Sequence, residues 1–97
     1  MTDAGLSPPP AMIALPERLT MGEASATLAR LAPQLGAAAE PVLDAAPLKL
    51  LDTAALAVLL ACQRQALGQG RTLRVTGAPP KLRQLAQLYG VDSLLGV

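Results

Sequence analysis

Asp52 and Thr53 stand side by side ahead of an apolar run, Ala54-Ala55-Leu56-Ala57-Val58-Leu59-Leu60-Ala61-Cys62, in which no position is polar. Either side chain can accept hydrogen bonds from the first free N–H groups of a helix, so the pattern predicts a helix that begins there. Thr53 has two further roles open to it. A phosphate on its hydroxyl would meet the positive end of the helix dipole, although the Asp52 carboxylate would oppose it by like charge. It can also be a contact residue for a partner protein. If Thr53 is the cap, Thr53→Ala costs about 1–2 kcal/mol.

Other chemistry is poorly supplied. The chain contains no His, so neither a Ser/His/Asp nor a Cys/His pair can be assembled. Cys62 has no cationic neighbour in sequence and reads as a small core residue. The carboxylates, Asp44 and Asp52 among them, are scattered without metal-ligand spacing. Gly77-Ala78-Pro79-Pro80 lacks the Gly-x-x-x-x-Gly-Lys pattern of a phosphate loop. No catalytic residue, metal or cofactor is expected, and a free-standing enzyme is close to excluded.

The elements that position Asp52 and Thr53 follow from periodicity. Ala11–Leu15 and Arg18–Thr20 read as short strands. Thr20-Met21-Gly22-Glu23 has the form of a capping box for a helix with apolar groups at Ala24, Thr27, Leu28, Leu31 and Leu35. Pro41–Asp44 reads as a strand and Pro47–Leu51 as a loop. The central helix runs from Thr53 to about Leu67 and stops at Gly68-Gln69-Gly70. Arg71–Thr76 alternates as a strand, and Lys81–Tyr89 is an amphipathic helix with Leu82, Leu85, Ala86 and Tyr89 on one face. Val91–Leu95 packs the end. Strands alternating with helices predict an α/β domain with one mixed sheet of four to five strands and helices packed on it. Residues 1–10, ending Ser7-Pro8-Pro9-Pro10, read as a disordered tail ahead of the domain at 11–97.

Within the central helix, Leu56, Leu59, Leu60, Gln63 and Leu67 form a bulky stripe expected on the sheet. Ala54, Ala57, Val58, Ala61, Arg64 and Gln65 form the opposite stripe. That second stripe is either Ala filling solvent positions, which is common, or a surface that another backbone approaches closely, with Arg64 pairing an acidic group at the rim.

Composition narrows the partner classes. With eight basic and seven acidic residues and a single aromatic, Tyr89, the 97-residue chain has neither the charge nor the stacking groups for nucleic acid. Arg71, Arg74, Lys81 and Arg83 read as a solvated face. Apolar residues reach 52%, enough for a packed core. The longest apolar run is about half of the roughly 20 residues that cross a bilayer, so no direct membrane insertion is expected. The N-terminus has no signal-peptide pattern, and one lone Cys fits a reducing cytoplasm.

Three stretches, Asp52-Thr53-Ala54-Ala55-Leu56, Gln69-Gly70-Arg71-Thr72-Leu73 and Leu85-Ala86-Gln87-Leu88-Tyr89-Gly90-Val91, resemble the STAS domain family over residues 11–95. Anti-sigma factor antagonists of that family carry Asp-Ser-Ser/Thr-Gly-Leu with a phosphorylated Ser, whereas the MlaB branch carries Asp-Thr-Ala-Gly-Leu. Thr53 and Ala54 favour the MlaB branch, and Ala55 departs from both patterns by replacing Gly. The resemblance implies a non-enzymatic cytoplasmic subunit, peripheral to the inner membrane, that binds the MlaF-like ATPase of a phospholipid ABC transporter and through it the permease. Partner contacts are then expected from Asp52, Thr53, Ala54, Ala57, Val58, Ala61 and Arg64. The alternative implied is an anti-sigma factor antagonist switched by phosphorylation at Thr53.

Overall fold

Strands that alternate with helices can pair in parallel, because each helix supplies the crossover that parallel neighbours need. The computed structural model, which describes residues 12–97, is built this way. Strand β1 (Met12–Ala14) pairs with β3 (Val42–Asp44), and β3 pairs with β5 (Arg74–Thr76), in the order β1-β3-β5. A second, two-stranded sheet joins β2 (Arg18–Leu19) to β4 (Leu50–Leu51). Helix α1 (Ala24–Ala37) precedes β3, and α2 (Thr53–Gly68) precedes β5. Helices α3 (Pro80–Leu88) and α4 (Asp92–Leu95) follow.

The α/β class stands, but the sheet is not the mixed one expected. Among the described residues every strand pairing is parallel, and the strands fall into two sheets. Part of the reason is Leu50-Leu51, read as loop. It pairs with Arg18-Leu19, which buries Leu19 and Leu51 together. The expected Pro-rich tail at 1–10, and Ala11 at the start of the first strand, lie outside the described residues.

Leucines from every layer meet in one core: Leu31 and Leu35 of α1, Leu43 of β3, Leu59 of α2, Leu82 of α3 and Leu95 of α4. Helix α1 continues through Pro33, which lacks the N–H of a helix bond. Its buried stripe of Thr27, Leu31 and Leu35 holds it in place. Two ties fasten α1 to α2 and the turn behind it. Gln65 donates to the Ala32 carbonyl at 2.8 Å. Arg71, expected in solvent, instead donates to the carbonyls of Gly36 at 3.0 Å and Ala38 at 2.6 Å, groups left over at a helix end.

The start of α1 also differs from a capping box. The Glu23 carboxylate does accept from the Thr20 N–H, at 2.9 Å. The Thr20 hydroxyl, however, donates to the same carboxylate oxygen at 2.7 Å instead of accepting from a helix N–H. The hydroxyl first, then the backbone N–H, hold the Glu23 carboxyl below its ordinary value of 4.5. A lowered value means the carboxylate stabilises the fold above about pH 4.5, and that contribution is lost as the pH falls through the folded-state value. Wild type is therefore expected to exceed Glu23→Gln in urea midpoint at pH 7, with the gap closing on acidification. A gap independent of pH would show that the carboxylate charge is not what matters.

Past β5 the chain turns at Gly77 with φ +66°. A Cβ placed there would lie 3.0 Å from the Ala46 Cβ and 3.1 Å from the Ala46 backbone nitrogen. The Asp44 carboxylate accepts from the same Ala46 N–H at 3.0 Å, so this backbone is fixed from both sides.

Candidate docking face

Asp52, not Thr53, caps α2. Its backbone is extended, and its Oδ1 accepts from the Ala54 N–H at 2.8 Å. Its Oδ2 accepts from the Met21 N–H at 3.2 Å, tying the start of α2 to the turn ahead of α1. Thr53, as the first helical residue, is freed from capping and exposed to solvent. The cap-sized loss therefore belongs to Asp52→Ala, expected to cost about 1–2 kcal/mol in urea unfolding. Thr53→Ala is expected to stay within roughly 0.5 kcal/mol of wild type. The reverse order would mean that the hydroxyl does the capping.

The stripes on α2 are rotated from the sequence reading. Ala55, Leu56, Val58, Leu59, Cys62, Gln63 and Ala66 are buried. Val58, expected among the partner contacts, is 3% exposed and belongs to the core. Leu60 and Leu67, expected on the sheet, instead line the outer side, with Leu67 54% exposed. Packing explains the rotation. Helix α2 lies against α1 along one flank and against α3 and α4 along the other. Small residues such as Ala55 and Ala66 serve the inner contacts, so size did not mark the outward face. Thr53, Ala57 and Arg64 are exposed, and Ala54 and Ala61 are half-buried beside them.

The outward face of α2 is one wall of a trough. A hollow of about 300 Å³ is lined by Thr53, Leu56, Ala57, Leu60, Tyr89 and Val91. A second, of about 340 Å³, adjoins it through the shared Leu60 and Val91 and reaches Arg64, Leu67 and Leu94. Tyr89, expected on the buried face of its helix, is 59% exposed because α3 ends at Leu88 and the ring stands at the lip of the trough. Sequence reading missed the exposed Leu67, Tyr89 and Leu94 and the half-buried Leu60 and Val91 between them. The available signal was that Thr53, Ala57, Leu60, Arg64 and Leu67 follow helical spacing on one face. Arg64 is the cation of this trough, and its lining residues include no carboxylate.

The remaining candidates take structural places. Burial pushes the Cys62 thiol up to about 11. A disulfide reagent at pH 8 is expected to leave native Cys62 unmodified and to label it fully in denaturant; labelling of the folded domain would overturn the burial. Among the described residues, no three of His, Cys, Asp and Glu stand close enough to share a metal ion. No described helix is long and apolar enough to cross a membrane. A surface of this kind has the means to bind another protein: exposed apolar side chains around a shallow hollow, edged by one cation.

A family model described as "Mlab, STAS domain" matches residues 4–96. Comparison with curated proteins gives no match.

Proposed function

The chain belongs to the STAS family through the MlaB-type model, and from that premise we propose that it is the accessory subunit of an ABC phospholipid transporter, docking on the ATPase through the outward face of α2. A STAS-type accessory or regulatory role is what the family supports. The observation that carries the finer reading is the trough itself, where Thr53, Ala57, Leu60, Arg64 and Leu67 of α2 face Tyr89, Val91 and Leu94 across exposed apolar surface. In this reading Asp52 sets the start of the helix, and Thr53, Ala54, Ala57, Ala61 and Arg64 form or flank the contact. ATP is handled by the partner, and the subunit works on the cytoplasmic side of the inner membrane by steadying the ATPase. Regulation, as opposed to stabilisation, requires tighter binding to one ATPase state than to another.

The test is co-expression with the ATPase subunit of a Mla-type transporter, followed by sizing of the complex and measurement of its ATP hydrolysis. A stable complex with altered hydrolysis supports the reading, and separate elution overturns it. One observation favours the signalling alternative: Thr53 is exposed, so its hydroxyl is open to a kinase. Against it, the Asp52 carboxylate already occupies the Ala54 N–H that a phosphate would use. A mass gain on Thr53 after incubation with ATP and an anti-sigma kinase would move the protein to that class.

A further inference from the structure

One wall of the second hollow of the trough is carried by α4, the shortest helix among the described residues. A single turn of helix has little stability of its own. Leu95 anchors α4 in the core at 1% exposed, and the Leu95 N–H donates back to the Val91 carbonyl at 3.1 Å. The Val97 N–H donates to the Asp92 carbonyl at 3.0 Å. One buried side chain sets where the turn sits but leaves it free to roll. The Leu94 carbonyl, one residue from the helix end, has no helical N–H ahead of it to bond.

A buried side chain of α2 supplies that bond. The Gln63 amide nitrogen donates to the Leu94 carbonyl at 3.0 Å and to the Leu73 carbonyl at 3.2 Å. Its oxygen accepts from the Leu73 N–H at 2.9 Å. Gln63 therefore holds the chain just ahead of β5 by two bonds and α4 by a third. It is 7% exposed, so water competes little for any of them. Gln63 also lines the second hollow, together with Leu60, Arg64, Leu67, Val91 and Leu94. Both of its amide hydrogens are spent inside the fold, so it has none left to give a partner. Its part in the hollow is to hold a wall, not to touch what enters.

Resting on the reading of the trough as the face that docks on the ATPase, we propose that Gln63 is the positioning residue of that face. Its amide fixes the roll of α4, and so sets the exposed Leu94 against Leu67 and Arg64 of α2 before the partner arrives. With the amide removed, Leu95 still holds α4 to the core, but the Leu94 carbonyl turns to water and the wall of the hollow loses its single arrangement. The partner must then order that wall as it binds, and affinity falls by the entropy this costs.

The test compares Gln63→Met, similar in length but with no hydrogen to donate, with Leu35→Val, a core change in α1 on the other flank of α2. Both are expected to lower the urea midpoint. Titrated against the ATPase subunit of a Mla-type transporter, folded Gln63→Met is expected to bind about tenfold or more weakly, and Leu35→Val within about twofold of wild type. Equal weakening by both would mean that stability governs binding and would overturn the proposal. Wild type that fails to bind the ATPase overturns the docking reading, and this proposal with it. Wild type and Gln63→Met that bind alike overturn this proposal only. Backbone relaxation gives a second measurement, on wild type alone if Gln63→Met does not fold. Amide order parameters over residues 92–95 are expected near 0.85 in wild type, as in α3, and below about 0.6 in Gln63→Met. Wild-type values already below about 0.6 would show that α4 is not held, and would overturn the proposal.

Discussion

Ala57→Glu is expected to leave the domain folded and to weaken ATPase binding by about a hundredfold or more, while Val58→Glu, one residue further on, is expected to unfold it. Ala57 is exposed on α2 and Val58 is 3% exposed. A Glu at 57 replaces Ala within a helix at small propensity cost, so the isolated domain changes by roughly 0.5 kcal/mol or less. Once a partner covers the trough, the same carboxylate loses its water in the hollow at Ala57, whose own lining holds no cation, a loss of about 2–5 kcal/mol. At 58 the carboxylate is unpaired in the core of the free domain itself. A penalty of about 3–5 kcal/mol is a large share of the 5–15 kcal/mol typical of whole domains. Circular dichroism melts and titration against the ATPase separate the two cases. An Ala57→Glu variant that binds at wild-type affinity would remove the α2 face as the docking surface.

Gly77→Ala is expected to cost about 2–4 kcal/mol, and Gly90→Ala about 1–2 kcal/mol. Both glycines have positive φ, +66° and +71°, so each substitution carries the strain of an L side chain in the left-handed region. Only Gly77 adds a steric contact, with the Ala46 Cβ at 3.0 Å and its backbone nitrogen at 3.1 Å, whereas a Cβ at Gly90 meets nothing within 4 Å. Backbone yields less readily than a side-chain tip, and the Ala46 N–H is pinned by Asp44. Urea midpoints of the two variants measure the difference. Equal losses would show that the turn absorbs the extra methyl.

The element order was legible in the chain because each boundary carries its own chemistry: Asp52 at the start of α2, Gly70 past its end, Pro80 in the first turn of α3. The sheet partition was not. Leu50-Leu51 is too short for a strand signal, and its pairing with Arg18-Leu19 joins residues some thirty positions apart. The start of the candidate face was legible and its course along α2 was not. Asp52 and Thr53 were found, but the choice between them as the cap depended on a backbone direction that residue type does not encode. The outward stripe of α2 was rotated because an all-apolar helix has no polar side to mark solvent. Only the positions of α1, α3 and α4 decide which apolar residues remain uncovered. Arg71 was misplaced for a related reason: its side chain finishes backbone carbonyls of a distant segment.

The ties between α1 and α2 bear on how fast a partner is captured. Asp52 fastens one end of α2 to Met21, Gln65 joins the two helices, and Arg71 holds the far end of α1. A surface backed in this way has little freedom left to lose when it is covered, so association forfeits less ordering entropy. Encounter is then limited by orientation, as for rigid partners, with rate constants on the order of 10⁵–10⁷ M⁻¹s⁻¹ and little reshaping afterwards. Differences in affinity among variants of the trough should consequently reside in how long the complex lasts, not in how quickly it forms.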